Sequence, residues 1–201
     1  MIAIIDYGSG NLRSVHKALE HVGARAQVTD QPEDILKADK IILPGVGAIA
    51  PAIQRLSALN LVDPIKKAIK DGKPFLGICL GLQLLFDESC EGGTIKTLGI
   101  LAGKVKRFQN LKVPHMGWNE LAIKRTACPF LKNIQPLTHA YFCHSFFVEP
   151  QQKDIIATTT DYGLAFTSSV WKDNLFAVQF HPEKSQEAGL TILKNFCAFS
   201  I

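Results

Sequence analysis

A cysteine lies at a glycine-rich junction between an apolar segment and a leucine-rich one. Phe75–Ile78 is a short apolar run, typical of a fully buried strand, and the leucines after Cys79 have helical spacing. Gly77 and Gly81 stand two residues before and two residues after the cysteine. Gly-x-Cys-x-Gly is the cysteine form of the strand-to-helix elbow that presents a nucleophile, since glycines permit the sharp bend and a following helix N-terminus favours thiolate. The stretch predicts a nucleophilic Cys79, although a buried structural cysteine in such a turn would have the same pattern.

A histidine and a carboxylate follow a second apolar strand. Residues 175–180 (Leu-Phe-Ala-Val-Gln-Phe) lead directly into His181-Pro182-Glu183, and proline makes that short turn rigid. A nucleophilic thiol needs a base to take its proton, and the base needs a third group to fix its orientation. Taken alone, these residues are better explained as a strand-end histidine beside a solvated carboxylate. Cys79 and His181 together are stronger evidence for a site than either residue alone. Both follow predicted strands, and open α/β sheets bind ligands at the carboxyl ends of their strands.

Composition favours a globular domain in a reducing compartment. The 201 residues are 47% hydrophobic and 20% charged, with a formal net charge of +4. The basic residues are mostly scattered, so a nucleic-acid face is not indicated. Five cysteines without a Cys-x-x-Cys pair argue against a disulfide framework or a structural zinc site, and no metal ligand set is expected. With no signal-like or membrane-length apolar run, we expect one domain (1–201) in the cytoplasm.

The order of predicted elements indicates an α/β protein. Strands at 2–5, 26–28, 40–43 and 75–78 alternate with helical patterns, which predicts an open, mostly parallel sheet covered by helices on both faces. Past residue 93 the pattern changes to strands separated by turn-rich loops, at 99–105, 121–123, 141–148, 155–160, 165–171 and 175–180. This half is expected to add antiparallel strands, and a helix at about 187–199 closes the chain.

Residues 77–83 (Gly-Ile-Cys-Leu-Gly-Leu-Gln), together with His181-Pro182-Glu183, resemble the class I (triad) glutamine amidotransferase family. Its members hydrolyse the side-chain amide of glutamine and pass ammonia to a synthase. One branch is also similar at residues 6–11 (Asp-Tyr-Gly-Ser-Gly-Asn), 44–48 (Pro-Gly-Val-Gly-Ala), 114–119 (Pro-His-Met-Gly-Trp-Asn), 141–145 (Tyr-Phe-Cys-His-Ser) and 181–185 (His-Pro-Glu-Lys-Ser). That branch contains glutaminase subunits that form a heterodimer with a (β/α)8-barrel cyclase, which makes imidazole glycerol phosphate and AICAR in histidine biosynthesis. The resemblance spans the whole chain and implies a flavodoxin-like fold and no cofactor.

The resemblance also implies roles for individual residues. It makes Cys79 the nucleophile, His181 the general acid and base, and Glu183 its orienter, while the backbone N–H groups of Val46 and Leu80 would bind the oxyanion. The residues implied in glutamine binding are Gly47, Gln83, Glu91 and the backbone of Ser145 and Phe146. Those implied at the partner interface and ammonia gate are Asn11, Trp118, Tyr141 and Lys184. The chain departs from the family pattern at Ile49-Ala50, Cys143 and Phe146, and Phe146 can contact substrate only through its backbone.

Three other functions fit parts of the sequence. A glutaminase could serve another synthase, such as a sugar amidotransferase of surface-polysaccharide pathways. A free-standing cysteine hydrolase on the same fold would turn over substrate without a partner. A non-enzymatic flavodoxin-like module would use residues 8–11 as a phosphate-binding turn, although these residues lack both the dinucleotide fingerprint and the Walker lysine.

Overall fold

The computed structural model describes residues 1–200. These residues form six α-helices and thirteen strands. The helices are α1 (Leu12–His21), α2 (Pro32–Lys37), α3 (Ile49–Ala58), α4 (Val62–Lys70), α5 (Leu80–Gln83) and α6 (Gln186–Ala198). The strands are β1 (Ile2–Ile5), β2 (Ala26–Thr29), β3 (Lys40–Leu43), β4 (Phe75–Ile78), β5 (Glu88–Ser89), β6 (Ile95–Lys96), β7 (Gly103–Arg107), β8 (His115–Ile123), β9 (Thr138–His144), β10 (Phe146–Pro150), β11 (Ile156–Asp161), β12 (Ala165–Lys172) and β13 (Leu175–Val178).

Four strands from the first half of the chain and β13 from the second half build the parallel part of the sheet. Strands pair in the order β2, β1, β3, β4 and β13, and each neighbouring pair is parallel. Every residue of β1, β4 and β13 is buried, which explains their continuous apolar sequences. The predicted alternation of strands and helices is confirmed here.

Beyond β13 the sheet continues through antiparallel strands. β13 pairs with β12, β12 with β10, and β10 with β7. β11 branches from β12 and joins the sheet to the β8–β9 ribbon. The mixed α/β sheet is therefore confirmed, but several predicted bounds were wrong. The predicted strand at 99–105 begins only at Gly103, and the predicted strand at 141–148 is interrupted at Ser145.

Two hydrophobic cores lie on opposite faces of the sheet. Val15 and Leu19 of α1 pack with Phe196 of α6 in the first core. Leu56 of α3 and Ile65 of α4 belong to the second core. Burying a leucine or isoleucine of this kind contributes about 2 kcal/mol, so the amphipathic helices are held mainly by these faces. Helices cover both faces of the parallel strands, as expected from the sequence.

The neighbouring strands β4 and β13 position the site. They run parallel, with Ile78 opposite Val178 at their last paired position. Cys79 follows Ile78 immediately, and its N–H donates to the Val178 carbonyl at 2.7 Å. His181 comes three residues after Val178. The sheet therefore brings the two predicted catalytic side chains to one edge, at the carboxyl ends of adjacent strands.

Candidate active site

The turn at Cys79 is a strained elbow. Cys79 has φ of 53° and ψ of −103°, a conformation that non-glycine residues rarely adopt. The two glycines flanking it are required by close backbone packing. A Cβ on Gly81 would lie 1.8 Å from the Leu43 carbonyl oxygen, and one on Gly77 would lie 3.0 Å from the Gly81 backbone. The bend places the thiol above the sheet edge, as nucleophile elbows do.

The helix after the elbow is shorter than the leucine spacing suggested. α5 is one turn, Leu80–Gln83. Its first N–H, that of Leu80, donates to the Gly45 carbonyl at 3.3 Å, so it is not directed at the sulfur. A single turn carries less of the dipole than a long helix does, and the effect of this helix N-terminus on the thiol stays a prediction.

His181 and Glu183 form a buried pair beside that thiol. Nδ1 of His181 lies 2.8 Å from Oε1 of Glu183, and the side chains are only 3% and 1% exposed. A short 3-10 turn, Pro182–Lys184, holds this geometry. Burial alone would lower the pKa of His181, but hydrogen bonds to Cys79 and Glu183 raise it to about 10. Because Nδ1 faces Glu183, Nε2 is the atom that can exchange a proton with the sulfur.

A buried glutamine that the sequence analysis missed contacts the nucleophile. Gln179 donates from Nε2 to Sγ of Cys79 at 3.6 Å. Its own Oε1 accepts from Nε2 of Gln83 at 3.1 Å. The signal was present as a polar residue in an apolar segment, two positions before His181. Gln179 therefore fixes the sulfur from the side of β13.

The predicted oxyanion donors are engaged elsewhere in this structure. The Val46 N–H donates to Oγ of Ser9 at 3.3 Å, and the Ser9 hydroxyl donates to the Val46 carbonyl. The Leu80 N–H is taken by the Gly45 carbonyl. Neither N–H is therefore free to bind an oxyanion beside Cys79. For these two N–H groups to bind an oxyanion as predicted, the loop at 45–47 would have to turn first.

One cavity of about 280 Å³ contains most of the predicted site. Its lining includes the predicted residues Val46, Gly47, Cys79, Leu80, Gln83, Glu91, Ser145, Phe146, His181 and Lys184. It also includes Pro114, Cys143 and His144, to which the sequence analysis gave no role in the site. Glu183 lies behind His181. The lining does not include Asn11, Trp118 or Tyr141.

Two of the predicted glutamine-binding side chains have defined partners. Glu91 accepts from the Ile49 N–H at 2.7 Å, which fixes its carboxylate at the start of α3. Gln83 donates from Nε2 to the Phe146 carbonyl at 3.1 Å and to Gln179. Both amide hydrogens of Gln83 are thus used, so its oxygen is the atom it can offer to a ligand. A carboxylate and an amide oxygen suit an α-ammonium group.

The residues predicted at the partner interface lie outside the cavity, except for Lys184. Trp118 is 46% exposed, and its ring meets that of Tyr141 edge to face, with centroids 6.0 Å apart. Nζ of Lys184 lies 5.8 Å from the centroid of the Tyr141 ring. The Tyr141 carbonyl accepts from the His181 N–H at 2.8 Å. This surface is therefore tied directly to the catalytic segment. Asn11 precedes α1 without capping it through its side chain.

Two negative findings apply to the part of the chain that the structure describes. Residues 1–200 contain no group of three or more His, Cys, Asp or Glu side chains arranged to hold a metal ion. No helix among them is both long enough and apolar enough to cross a membrane.

The fold and the site define a class of enzyme, and comparisons with known proteins agree. A family model described as "Glutamine amidotransferase class-I" matches residues 3–198. A solved structure described as "Structure of PurLQS from Thermotoga maritima" superposes with a TM-score of 0.76 at 20% identity, covering 97% of this chain and 96% of that one. Another, described as "Crystal structure of glutamine amidotransferase", gives 0.75 at 18% identity over 94% and 95%. At these identities the structures show the fold.

Curated relatives are much closer in sequence. Imidazole glycerol phosphate synthase subunit HisH of Syntrophotalea carbinolica is 52% identical over 98% of both chains. The HisH subunit of Acinetobacter baylyi is 50% identical over 100% of this chain and 98% of its own. The chain therefore belongs to the class-I glutamine amidotransferase family and, within it, to the HisH group of glutamine-hydrolysing subunits.

Proposed function

We propose that this chain hydrolyses L-glutamine at Cys79 and delivers the ammonia to a (β/α)8-barrel cyclase with which it forms a heterodimer. The observation that carries the proposal is the buried His181–Glu183 pair beside a strained cysteine, in one cavity with an anchored carboxylate at Glu91. The class of enzyme follows from membership of the family, whereas the roles of the residues and the identity of the partner are proposed.

The reaction follows from the geometry of the pair. The Cys79 thiolate attacks the δ-carbonyl carbon of glutamine, forming a C–S bond and moving the carbonyl electrons onto oxygen. Nε2–H of His181 protonates the amide nitrogen, the C–N bond breaks, and ammonia leaves a γ-glutamyl thioester. His181 then takes a proton from water, which attacks the thioester and releases glutamate and the thiolate. Glu183 holds the imidazolium through Nδ1.

A partner is required on chemical grounds. Ammonia released to solvent at neutral pH becomes ammonium, which is not a nucleophile. The exposed Trp118 and the Tyr141–Lys184 contact lie beside the catalytic segment and would meet a docked protein. The occupied N–H groups of Val46 and Leu80 support an activity that begins only when the loop at 45–47 turns. We therefore expect the isolated chain to be nearly inactive.

The identity of the partner comes from the relatives. The curated relatives are named as subunits of imidazole glycerol phosphate synthase. We propose that this chain serves the same synthase, where a barrel cyclase uses ammonia to make imidazole glycerol phosphate and AICAR in histidine biosynthesis. The five free cysteines support a reducing, cytoplasmic setting.

The test replaces the nucleophile in the complex with the cyclase. Cys79→Ala should abolish synthesis from glutamine and leave synthesis from added ammonium salts intact. Cys90→Ala, at an exposed free cysteine, is the matched control and should leave both reactions unchanged. Loss of ammonium-dependent synthesis in Cys79→Ala would contradict the assignment of this residue to the glutaminase half alone. Full glutamine-dependent synthesis would refute Cys79 as the nucleophile.

A further inference from the structure

A chain of four hydrogen-bonding groups runs through the interior beside the cavity. Nδ1 of His144 lies 2.8 Å from the Phe146 carbonyl, and Nε2 of His144 lies 2.9 Å from Nδ1 of His115. Nε2 of His115 lies 3.1 Å from Nδ2 of Asn119. We refer to His144, His115 and Asn119 as the imidazole relay. Both histidines are buried, and they face each other across β8 and β9.

The direction of every hydrogen bond in the relay is determined. The Phe146 carbonyl can only accept, so Nδ1 of His144 must carry a hydrogen. The Asn119 amide is oriented from the other end, because its Nδ2 also donates to the Asp161 carbonyl at 2.8 Å and its Oδ1 accepts from the Glu120 N–H at 2.8 Å. Asn119 therefore donates to Nε2 of His115. His115 then donates from Nδ1 to Nε2 of His144.

The surroundings keep both rings neutral, as this order requires. His115 stacks on Tyr162 and Phe142, with centroids 4.2 Å and 4.9 Å away. His144 packs near Phe108 and Phe166. Burial lowers the pKa of His115 to about 4, and burial together with the neighbouring histidines lowers the pKa of His144 to about 3. Each ring thus offers one donor and one acceptor at neutral pH.

The relay ends on backbone that lines the cavity. The Phe146 carbonyl receives Nδ1–H of His144 and also Nε2–H of Gln83. The Ser145 carbonyl is held by the Phe108 N–H at 3.2 Å. Ser145 is the break between β9 and β10, and Phe146 pairs with Arg107 of β7. Side-chain hydrogen bonds from His144 and Gln83 therefore add to the backbone pairing that holds this segment.

We propose that His144, oriented by His115 and Asn119, is a positioning residue that fixes the Ser145–Phe146 backbone for binding the α-groups of glutamine. This inference rests on the proposed function of the cavity. It makes β8 a part of the substrate site although its side chains do not contact substrate. Asn119 at the far end follows the exposed Trp118, so the relay also joins the proposed partner surface to the glutamine site.

The test uses two substitutions, each of which retains a nitrogen near the position of one of the two imidazole nitrogens. Asn places an amide N–H near the position of Nδ1, and Gln places its amide near the position of Nε2. His144→Asn can still donate to the Phe146 carbonyl, whereas His144→Gln cannot. In the complex with the cyclase, His144→Gln should raise the glutamine KM about tenfold with kcat changed little, and His144→Asn should change KM by less than about twofold. His139→Gln, at an exposed histidine of the same strand, is the control.

Three readouts separate the possible results. Both His144 variants lose contact with one relay neighbour, so both should melt at a lower temperature. If KM rises equally in both variants, in step with the loss of stability, His144 is only structural and the proposal fails. Imidazole ¹⁵N spectra of the wild-type chain should show Nδ1–H with unprotonated Nε2 for both residues, and an Nε2–H tautomer at His144 would overturn the relay. The spectra do not depend on turnover, so the relay can fail while glutaminase activity in the wild-type complex stands.

Discussion

The two halves of the candidate active site are in different states of assembly. The Cys79–His181–Glu183 half is complete, with Nδ1 of His181 2.8 Å from the Glu183 carboxylate. The oxyanion half is not, because Val46 is bound by Ser9 and the Leu80 N–H by the Gly45 carbonyl. The first half is built on adjacent parallel strands, whereas the second depends on a loop with Gly47 at φ of +93°. A rigid sheet can hold a catalytic pair in place permanently, while a glycine loop can switch.

This difference locates the control of the reaction. An assembled Cys79–His181–Glu183 group without an oxyanion hole does not stabilise the transition state, and such stabilisation often contributes more than any other effect to the rate of amide hydrolysis. Turning the loop at 45–47 would break the hydrogen bonds between Ser9 and Val46 and between Leu80 and Gly45. The loop is held by Ser9, whereas His181 is held by Glu183. The two halves can therefore be perturbed separately.

The largest effect is expected from breaking the assembled half. His181→Asn removes the group that protonates the leaving nitrogen, and glutamine-dependent turnover in the complex should fall about 10³- to 10⁴-fold. Steady-state kinetics with glutamine and with ammonium chloride measure the change. Ammonium-dependent synthesis should be unaltered. A loss of less than tenfold with glutamine would mean that His181 is not the general acid.

A second substitution tests whether the sheet enforces the elbow. In Gly81→Ala the new Cβ would lie 1.8 Å from the Leu43 carbonyl oxygen, a backbone atom that cannot move alone. We expect a loss of about 3 kcal/mol in the free energy of unfolding, measured by denaturant melts. Gly92→Ala is the comparison, because open space surrounds its Cβ position and the variant carries only the strain of φ of +72°, which Gly81 does not share. Equal losses in the two variants would show that packing at the elbow contributes nothing.

The unassembled half should respond in the opposite direction. Ser9→Ala removes the hydroxyl that binds Val46, so the loop should turn more readily and glutamine turnover by the isolated chain should rise about fivefold. Maximal turnover in the complex should remain as in the wild type. Ser57→Ala, at an exposed serine of α3, is the matched control. A fall or no change in basal turnover would show that Ser9 does not restrain the loop.

The smallest effect concerns the charge of the assembled half. The pKa of His181 is raised from 6.5 to about 10, so between these values the folded chain binds a proton there that the unfolded chain has lost. The stabilisation is complete below pH 6.5 and disappears as the pH rises through about 10. Between pH 7 and pH 8 the melting temperature of His181→Asn should fall by about 3 °C less than that of the wild type. Parallel falls would indicate a neutral imidazole in the folded chain.

The assembled half was predictable from the sequence because local patterns encode it. Gly-x-Cys-x-Gly, and a histidine directly after an apolar strand, each specify a strand end. Parallel strands then bring such ends together without further information. The mixed sheet and the helices on both of its faces followed from the same alternation of elements.

The rest of the site was not predictable because it depends on long-range contacts of ordinary residues. The Ser9–Val46 contact joins loops 37 residues apart, and the bond between Gln179 and Cys79 spans 100 residues. His115 and His144 are 29 residues apart, and only the β8–β9 register makes them neighbours. The predicted bounds of several strands in the second half were wrong for a related reason. Its short antiparallel strands are set by partners and breaks, such as the one at Ser145, more than by apolar periodicity.

The central claim is that Cys79, His181 and Glu183 are already assembled, whereas the oxyanion loop must still turn. Its most direct test is glutamine hydrolysis by the isolated chain, with and without the barrel cyclase and its nucleotide ligand. The partner should raise kcat at least about 100-fold, the size of one oxyanion-hole donor, with KM changed by no more than a few-fold. Full turnover by the isolated chain, or a partner effect confined to KM, would contradict the account.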